Sequence, residues 1–338
     1  MIGRLLAAAV TLTLAALLLV ACWPQLFGLE QVLGVAHLVA LRGIAALVAV
    51  LLAILLTLFA LVGDTGRRFF AGLAALLLVF TVVSGAVLAV RGFGAGDAPE
   101  PVGDELVVFS WNTLGDEPGA ELIAELAVAH RADVVTLPET SAEAGASVQA
   151  HMAAAGYPMQ LLIQQSDQIS KARSTVLLIS TSLGEYRRDD SVGTTPTLPS
   201  VVALPVDGRG PTIVATHPVA PVPGEMSNWR EGLAWLAERC GDAESNVIVA
   251  GDFNSTIDHW AGLGSDVGLA SCADVARAVG AAAVGTWPTL LPSLLGAPID
   301  HVLATAAWEP VDFRVLESHD DAGSDHRPIV ATLRPADS

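Results

Sequence analysis

Three long apolar stretches open the chain, at residues 5–21, 43–62 and 69–90. A membrane-spanning helix needs ~20 apolar residues. The second and third stretches have that length, and the first does once Ile2 and Cys22-Trp23 are counted. The pattern therefore predicts transmembrane helices at about 3–23, 43–62 and 69–90. The first stretch also has the apolar centre of a secretory signal, and Leu19-Val20-Ala21-Cys22 has the form of a lipoprotein cleavage site. Trp23-Pro24 is an unusual continuation for such a site, and two further spans make a lipid anchor redundant, so a retained helix is the preferred reading.

After Arg91 the pattern changes. Residues 92–101 are glycine-rich and then proline-rich, the composition of a mobile linker. Beyond them, short apolar runs closed by turn residues alternate with helical spacing. The chain thus divides into a membrane region at 1–91, a linker at 92–103 and a domain at 104–338 that is long enough to bury its own core. Strands are expected at 105–110, 133–137, 176–180, 200–204, 212–216, 246–250, 299–304 and 328–333. One helix is expected from Pro118 through Leu122, Ile123, Leu126 and Ala127 to near His130. A second has Ser227 as N-cap, an apolar face of Trp229, Leu233, Leu236, Ala237 and Cys240, and Gly241 past its end.

Charge sharpens the division. Of 35 acidic and 17 basic residues, 2 and 5 fall in residues 1–92, which leaves 33 and 12 beyond. A chain that is 52% hydrophobic, with a mean hydropathy of +0.55, is therefore a membrane segment joined to a strongly acidic soluble domain. The spans carry no charge at their centres, which argues against transport. Arg4 and Arg67-Arg68 place the N-terminus and the second inter-span region in the cytoplasm and everything after Arg91 outside, although Arg42 and Arg91 weigh the other way. In that compartment Cys240 and Cys272 are open to either state, bridged or free.

Eight polar residues, Asn112, Glu139, His217, Asp252, Asn254, Asp300, Asp325 and His326, each follow or interrupt an apolar run. Singly, such residues are common turn formers and helix caps. Together, at converging strand ends, oxygen ligands without thiols suit Mg²⁺ or Mn²⁺ better than Zn²⁺. Histidines beside such an ion suit phosphoryl chemistry.

The flanking residues add a family. Ser110-Trp111-Asn112, Leu137-Pro138-Glu139, Thr216-His217, Gly251-Asp252-Phe253-Asn254, Ile299-Asp300-His301 and Ser324-Asp325-His326-Arg327-Pro328 resemble, in that order, the motifs of the endonuclease/exonuclease/phosphatase superfamily. The resemblance covers 104–335 and implies a four-layered α/β sandwich, two packed mixed or antiparallel sheets flanked by helices. It implies that Asn112, Glu139 and Asp325 hold Mg²⁺, with Mn²⁺ as a substitute. It further implies that Asp252 orients or deprotonates the attacking water, that Asn254 steadies the phosphoryl oxygens and that His217 donates to one of them. His326 would sit on the phosphate, with Asp300 fixing its tautomer and favouring its charged form. Pro138 stands where the family usually has glutamine, and the glycine often found before the central strand is absent at Ser174-Thr175. His301 reads as a supporting residue, His130, His151, His259 and His319 as loop or surface residues, and Trp287 as a rim or core aromatic.

With 33 acidic residues against 12 basic ones, the domain is poorly suited to a nucleic-acid backbone. A bilayer tether, by contrast, raises the effective concentration of lipid head groups. The expected function is a membrane-anchored, outward-facing, Mg²⁺-dependent phosphodiesterase or phosphatase acting on a lipid head group or small phosphoester. Its rivals are an extracellular metal-dependent nuclease and a non-catalytic membrane sensor or scaffold that kept the fold.

Overall fold

The computed structural model describes residues 1–63, 66–94, 103–166, 170–242, 244–264 and 268–336. Most of the linker expected at 92–103 lies outside the described residues. Helices α1 (Ile2–Cys22), α2 (Val35–Ala40), α3 (Arg42–Val62) and α4 (Arg67–Arg91) open the chain, and α1, α3 and α4 are each long and apolar enough to cross a membrane. They pack around Ala21, Ala49, Ala53, Ala74, Leu77 and Phe80. Small side chains at such contacts let helices approach closely, which matters where lipid is as apolar as the helices themselves.

The domain folds as two sheets packed face to face. The first draws on β1 (Leu106–Ser110), β2 (Val134–Pro138), β3 (Met159–Gln165) and β4 (Ser174–Ser180). The second contains β5 (Tyr186–Arg188), β6 (Val201–Pro205), β7 (Thr212–Thr216), β8 (Val247–Asp252), β9 (Gly268–Leu269), β10 (Cys272–Asp274) and β11 (Asp300–Ala304). The chain then returns to the first sheet with β12 (Trp308–Val315) and β13 (Ile329–Pro335). Among the described residues the orders are β12-β13-β1-β2-β4-β3 and β5-β6-β7-β8-β11-β10-β9. The pairs β1/β2 and β7/β8 are parallel, so both sheets are mixed.

Val108, Val134, Ile213, Ile248, Val302 and Ala331 fill the space between the sheets. Helices α5 (Ala120–Ala129) and α6 (Ala142–Ala154) cover the outer face of the first sheet, and α7 (Met226–Arg239) that of the second. The result is four layers, as the resemblance implied. A disulfide between Cys240 and Cys272 ties the end of α7 to β10. Two local expectations need correction. Glu225 caps α7 without a side-chain bond, so Ser227 lies inside the first turn. His259 is buried rather than on the surface, because Thr256 donates its backbone N–H to one ring nitrogen and the other meets the Ala36 carbonyl oxygen.

That last contact belongs to a seam between the membrane region and the domain. Gln25 Nε2 donates to the Asp258 carbonyl and Gln31 Nε2 to the His259 carbonyl, at 2.9 and 2.7 Å. Arg42 and Arg91, at the ends of two spans, both grip the buried Asp258 carboxylate, at 3.1 and 2.8 Å. Burial alone would raise the Asp258 carboxyl, but the two guanidiniums outweigh it and hold it well below the usual carboxylate range.

Candidate active site

Strand periodicity explains how the polar residues meet. Successive side chains on a strand face opposite sides. On β8 the even positions Ile248 and Ala250 lie between the sheets, so Asp252 continues that inner row; on β11, Val302 and Ala304 place Asp300 in the same row. Likewise Val108 leads to Asn112 at the end of β1, and Ile213 and Ala215 lead to His217 after β7. Four polar groups therefore crown one end of the inter-sheet core. Gly251 permits the close pairing of β8 with β7, since a Cβ there would collide with the Thr216 carbonyl oxygen. Glu139 and Asn254 hold left-handed backbone at φ 57° and 45°, a costly conformation away from glycine that recurs at functional turns.

All eight residues singled out in the sequence come together. Asn112 Nδ2 donates to Glu139 Oε1 and to Asp252 Oδ2, both at 3.0 Å, while its Oδ1 accepts from the Leu114 N–H. Asn254 donates its backbone N–H to Asp252 Oδ1 at 2.8 Å and its Nδ2 to the Pro218 carbonyl at 3.0 Å. His326 Nδ1 meets Asp300 Oδ2 at 2.8 Å, and its Nε2 lies 3.7 Å from Asp252 Oδ2. His217 Nε2 lies 3.6 Å from Glu139 Oε1. Asp325 accepts from Trp287 Nε1 at 2.8 Å, so Trp287 is a rim aromatic with a polar task. A cavity of about 360 Å³ opens above the cluster, lined by Glu139, His217, Asp252, Asn254, Asp325 and His326.

The register sets the electrostatics. Asp252 and Asp300 are directly paired across β8 and β11, which forces two carboxylates side by side. His326 stands against both. Burial opposes its charge, but Asp300 and Asp252 outweigh that and push it up to about 10. Burial, reinforced by Asp300, outweighs the attraction of His326 for Asp252, which is pushed up to about 7. Burial and the neighbouring charge of His326 bring His217 down to about 3, so it is a neutral imidazole. Burial also raises Glu139.

Asp252, Asp300 and His326 offer ligand atoms within 4.8 Å of one another. Asp300 and His326 already share a hydrogen bond, so this trio reads as a proton-sharing unit rather than as a ligand set. Asp325 Oδ1, by contrast, is buried without a hydrogen-bond partner among the described residues. An orphaned carboxylate oxygen at a cavity lined also by a second carboxylate, Glu139, fits a hard divalent cation. Asn112 turns its amide nitrogen towards the carboxylates; to ligate directly, its oxygen would have to leave Leu114.

The profile of the Endonuclease/Exonuclease/phosphatase family matches residues 109–326. The chain belongs to this family. Members of the endonuclease/exonuclease/phosphatase family are metal-dependent hydrolases of phosphoester bonds. Solved structures share its fold. A humanized D. rerio TDP2 aligns with a TM-score of 0.53 and 21% identity over 69% of this chain and 100% of that one. An endonuclease/exonuclease/phosphatase from Beutenbergia cavernae gives 0.52 and 20% over 69% and 72%. Another from Bacteroides vulgatus gives 0.52 and 16% over 69% and 100%. No curated protein matches the chain. The family match begins at Phe109, so α1 to α4 lie outside it.

Sequence reasoning missed one part of the site for that reason. His37, Ala40 and Leu41, from α2 and the residue after it, also line the cavity, and no family motif or strand-end signal points to them. His301, one residue from Asp300, faces the other side of the sheet, where it bonds Asp274 Oδ2 and the Ser255 carbonyl.

Proposed function

We propose that this family member is a membrane-anchored, outward-facing, Mg²⁺-dependent phosphoesterase, with Mn²⁺ as a substitute, that hydrolyses a lipid head group or small phosphoester by attack of an activated water. The observation that carries the reading is the Asp252–His326–Asp300 unit, placed beside an orphaned Asp325 oxygen at one cavity.

Glu139 and Asp325, with Asn112 behind Glu139, would hold the cation, which supplies charge neutralisation at the phosphoryl oxygens. Asp252, fixed by Asn112 and Asn254, takes the proton of the attacking water; a base that holds its proton up to about pH 7 is well matched to that task. His326, kept cationic by Asp300, sits against the developing negative charge. His217 is neutral and has no hydrogen-bond partner on either ring nitrogen among the described residues, so it is free to donate to a phosphoryl oxygen. Asn254 keeps Asp252 and the Pro218 loop in register with that oxygen.

Orientation and substrate rest on charge. The two arginines that weighed against an outward domain, Arg42 and Arg91, are both engaged by Asp258, which leaves Arg4 and Arg67-Arg68 to set the topology. A D. rerio TDP2 of the same fold has been solved with a single-strand DNA product. With 33 acidic residues beyond residue 92, this domain is a poor counterpart for a nucleic-acid backbone. The deciding experiment uses the full chain in lipid nanodiscs with Mg²⁺ or Mn²⁺, against a chromogenic phosphodiester, a phosphomonoester, phospholipid vesicles and plasmid DNA. Metal-dependent turnover that disappears in Asp252→Ala is the expected result. Turnover confined to DNA would transfer the reading to a nuclease, and no turnover with any substrate would remove the enzyme.

A further inference from the structure

The catalytic cavity has a wall that the family fold does not supply. Besides the Asp252 and His326 cluster, its lining includes His37, Ala40 and Leu41, from the segment that joins the first two spans. That segment is seated firmly: Ala36 is fully buried in the core beneath α7, and its carbonyl oxygen takes His259 Nε2 at 3.1 Å. The rest of the wall near α2 is apolar, with Val219 and Val222. The His37 side chain is exposed and makes no hydrogen bond among the described residues, so it offers a polar group on this wall.

The rim of the cavity also adjoins the end of a span. Trp287 and Thr289 both bond Asp325, and a few residues on, the 293–295 turn packs its Leu294 carbonyl against Gly43 at the start of span α3. The same short loop therefore touches the proposed metal side and the end of a transmembrane helix. Leu290 is 91% exposed and Leu294 54%. Exposed leucines beside a span end belong in a head-group layer rather than in water.

Resting on the phosphoesterase reading above, we infer that the substrate is a bilayer amphiphile: its phosphoester reaches the cluster from the membrane side while its first apolar carbons lie against Ala40, Leu41 and Val222. The α2 segment is then the specificity wall, and His37 meets the part of the head group beyond the phosphate. A water-soluble ester has the same scissile bond but leaves the apolar wall unfilled, and each buried methylene it lacks forgoes about 0.8 kcal/mol, roughly a fourfold change in binding.

The test compares two esters with one scissile bond, hexadecyl and methyl p-nitrophenyl phosphate, on the full chain in nanodiscs with Mg²⁺. Wild type is expected to prefer the hexadecyl ester in kcat/KM by at least about tenfold, and Ala40→Trp, which fills the apolar wall, to lower that ratio about tenfold. Val222→Asp reaches the same wall from the domain side and decides the matter if Ala40→Trp fails to fold. Vesicles of a diacyl phospholipid or of a polyprenyl phosphate then separate the two sources of such an amphiphile. Turnover of both esters without preference, or a ratio unchanged in both variants, overturns the inference and leaves the phosphoesterase reading standing. No turnover of either ester by wild type overturns both.

Discussion

Two buried histidine–carboxylate pairs stand back to back on the second sheet, and they differ in what each has left over. Asp300 and His301 are neighbours on β11, so their side chains take opposite faces. On the outer face His301 meets Asp274 at 2.7 Å and spends its second nitrogen on the Ser255 carbonyl at 3.0 Å. On the inner face His326 meets Asp300 at 2.8 Å, but its second nitrogen is turned to Asp252 at 3.7 Å, and Asp300 Oδ1 has no hydrogen-bond partner among the described residues. The first pair is closed and packed between Phe253 and Trp260. The second retains hydrogen-bonding capacity aimed at a cavity. The same two residue types make a structural clamp where every valence is used and a reactive unit where some are kept free.

That contrast predicts which property each pair controls. Replacing Asp252 with Ala should cost about 10³- to 10⁴-fold in turnover while the thermal midpoint changes little, because the substitution removes one of two carboxylates that repel each other across β8 and β11. Steady-state kinetics with parallel calorimetry measures both, and comparable losses of stability and activity would erase the distinction. For His301→Ala the expectation reverses. Asp274 is left buried without its counter-charge, keeping only the Arg277 N–H, a loss of about 3–5 kcal/mol, while the protein that remains folded turns over substrate at a near-normal rate.

The clamp has its own pH signature. Burial works against the charge of His301, but Asp274 outweighs it and raises the histidine above its ordinary value of 6.5. Its stabilisation is therefore complete below pH 6.5 and fades as pH rises through the folded-state value, and His301→Ala should flatten that alkaline decline. A smaller effect follows for Trp287→Phe, which removes the N–H held by Asp325 and should weaken divalent-cation affinity about 10- to 100-fold with the fold intact. Smallest is the pH dependence of metal loading. Glu139 and Asp252 both hold their protons above the ordinary carboxylate range, Asp252 up to about 7, so cation affinity should rise with pH and level off above that value. Isothermal titration in two buffers of different ionisation heat detects the released protons; a flat profile would show that neither carboxyl yields one.

Much of this was legible in the residue order. Short apolar runs that close in Asn, His or Asp marked the strands and their ends, and every one of the eight polar residues lies at the cavity or bonds a residue that does. The elements that escaped notice lack such contrast. Helix α6 is alanine-rich, so its buried and exposed faces look alike in sequence. Strands β3 and β12 are sheet edges, with three glutamines in one and Glu309, Pro310, Asp312 and Arg314 in the other, which disguises them as loops. His259 was misplaced because its partner, Ala36, lies 223 positions earlier, across the span boundary. The α2 wall was invisible for a related reason: six residues between two spans carry no periodic signal of their own.

The grip of Arg42 and Arg91 on Asp258 bears on how this protein can be handled in the laboratory. A fragment that starts in the linker would leave Asp258 as a bare carboxylate among apolar neighbours and open a gap over Trp229 where Ala36 sat. Such a fragment would tend to clump and to forfeit one side of its own reaction chamber. Detergent extraction of the intact chain is thus the preparation that keeps the seam whole, and membrane region and domain are best purified, stored and assayed as a single body.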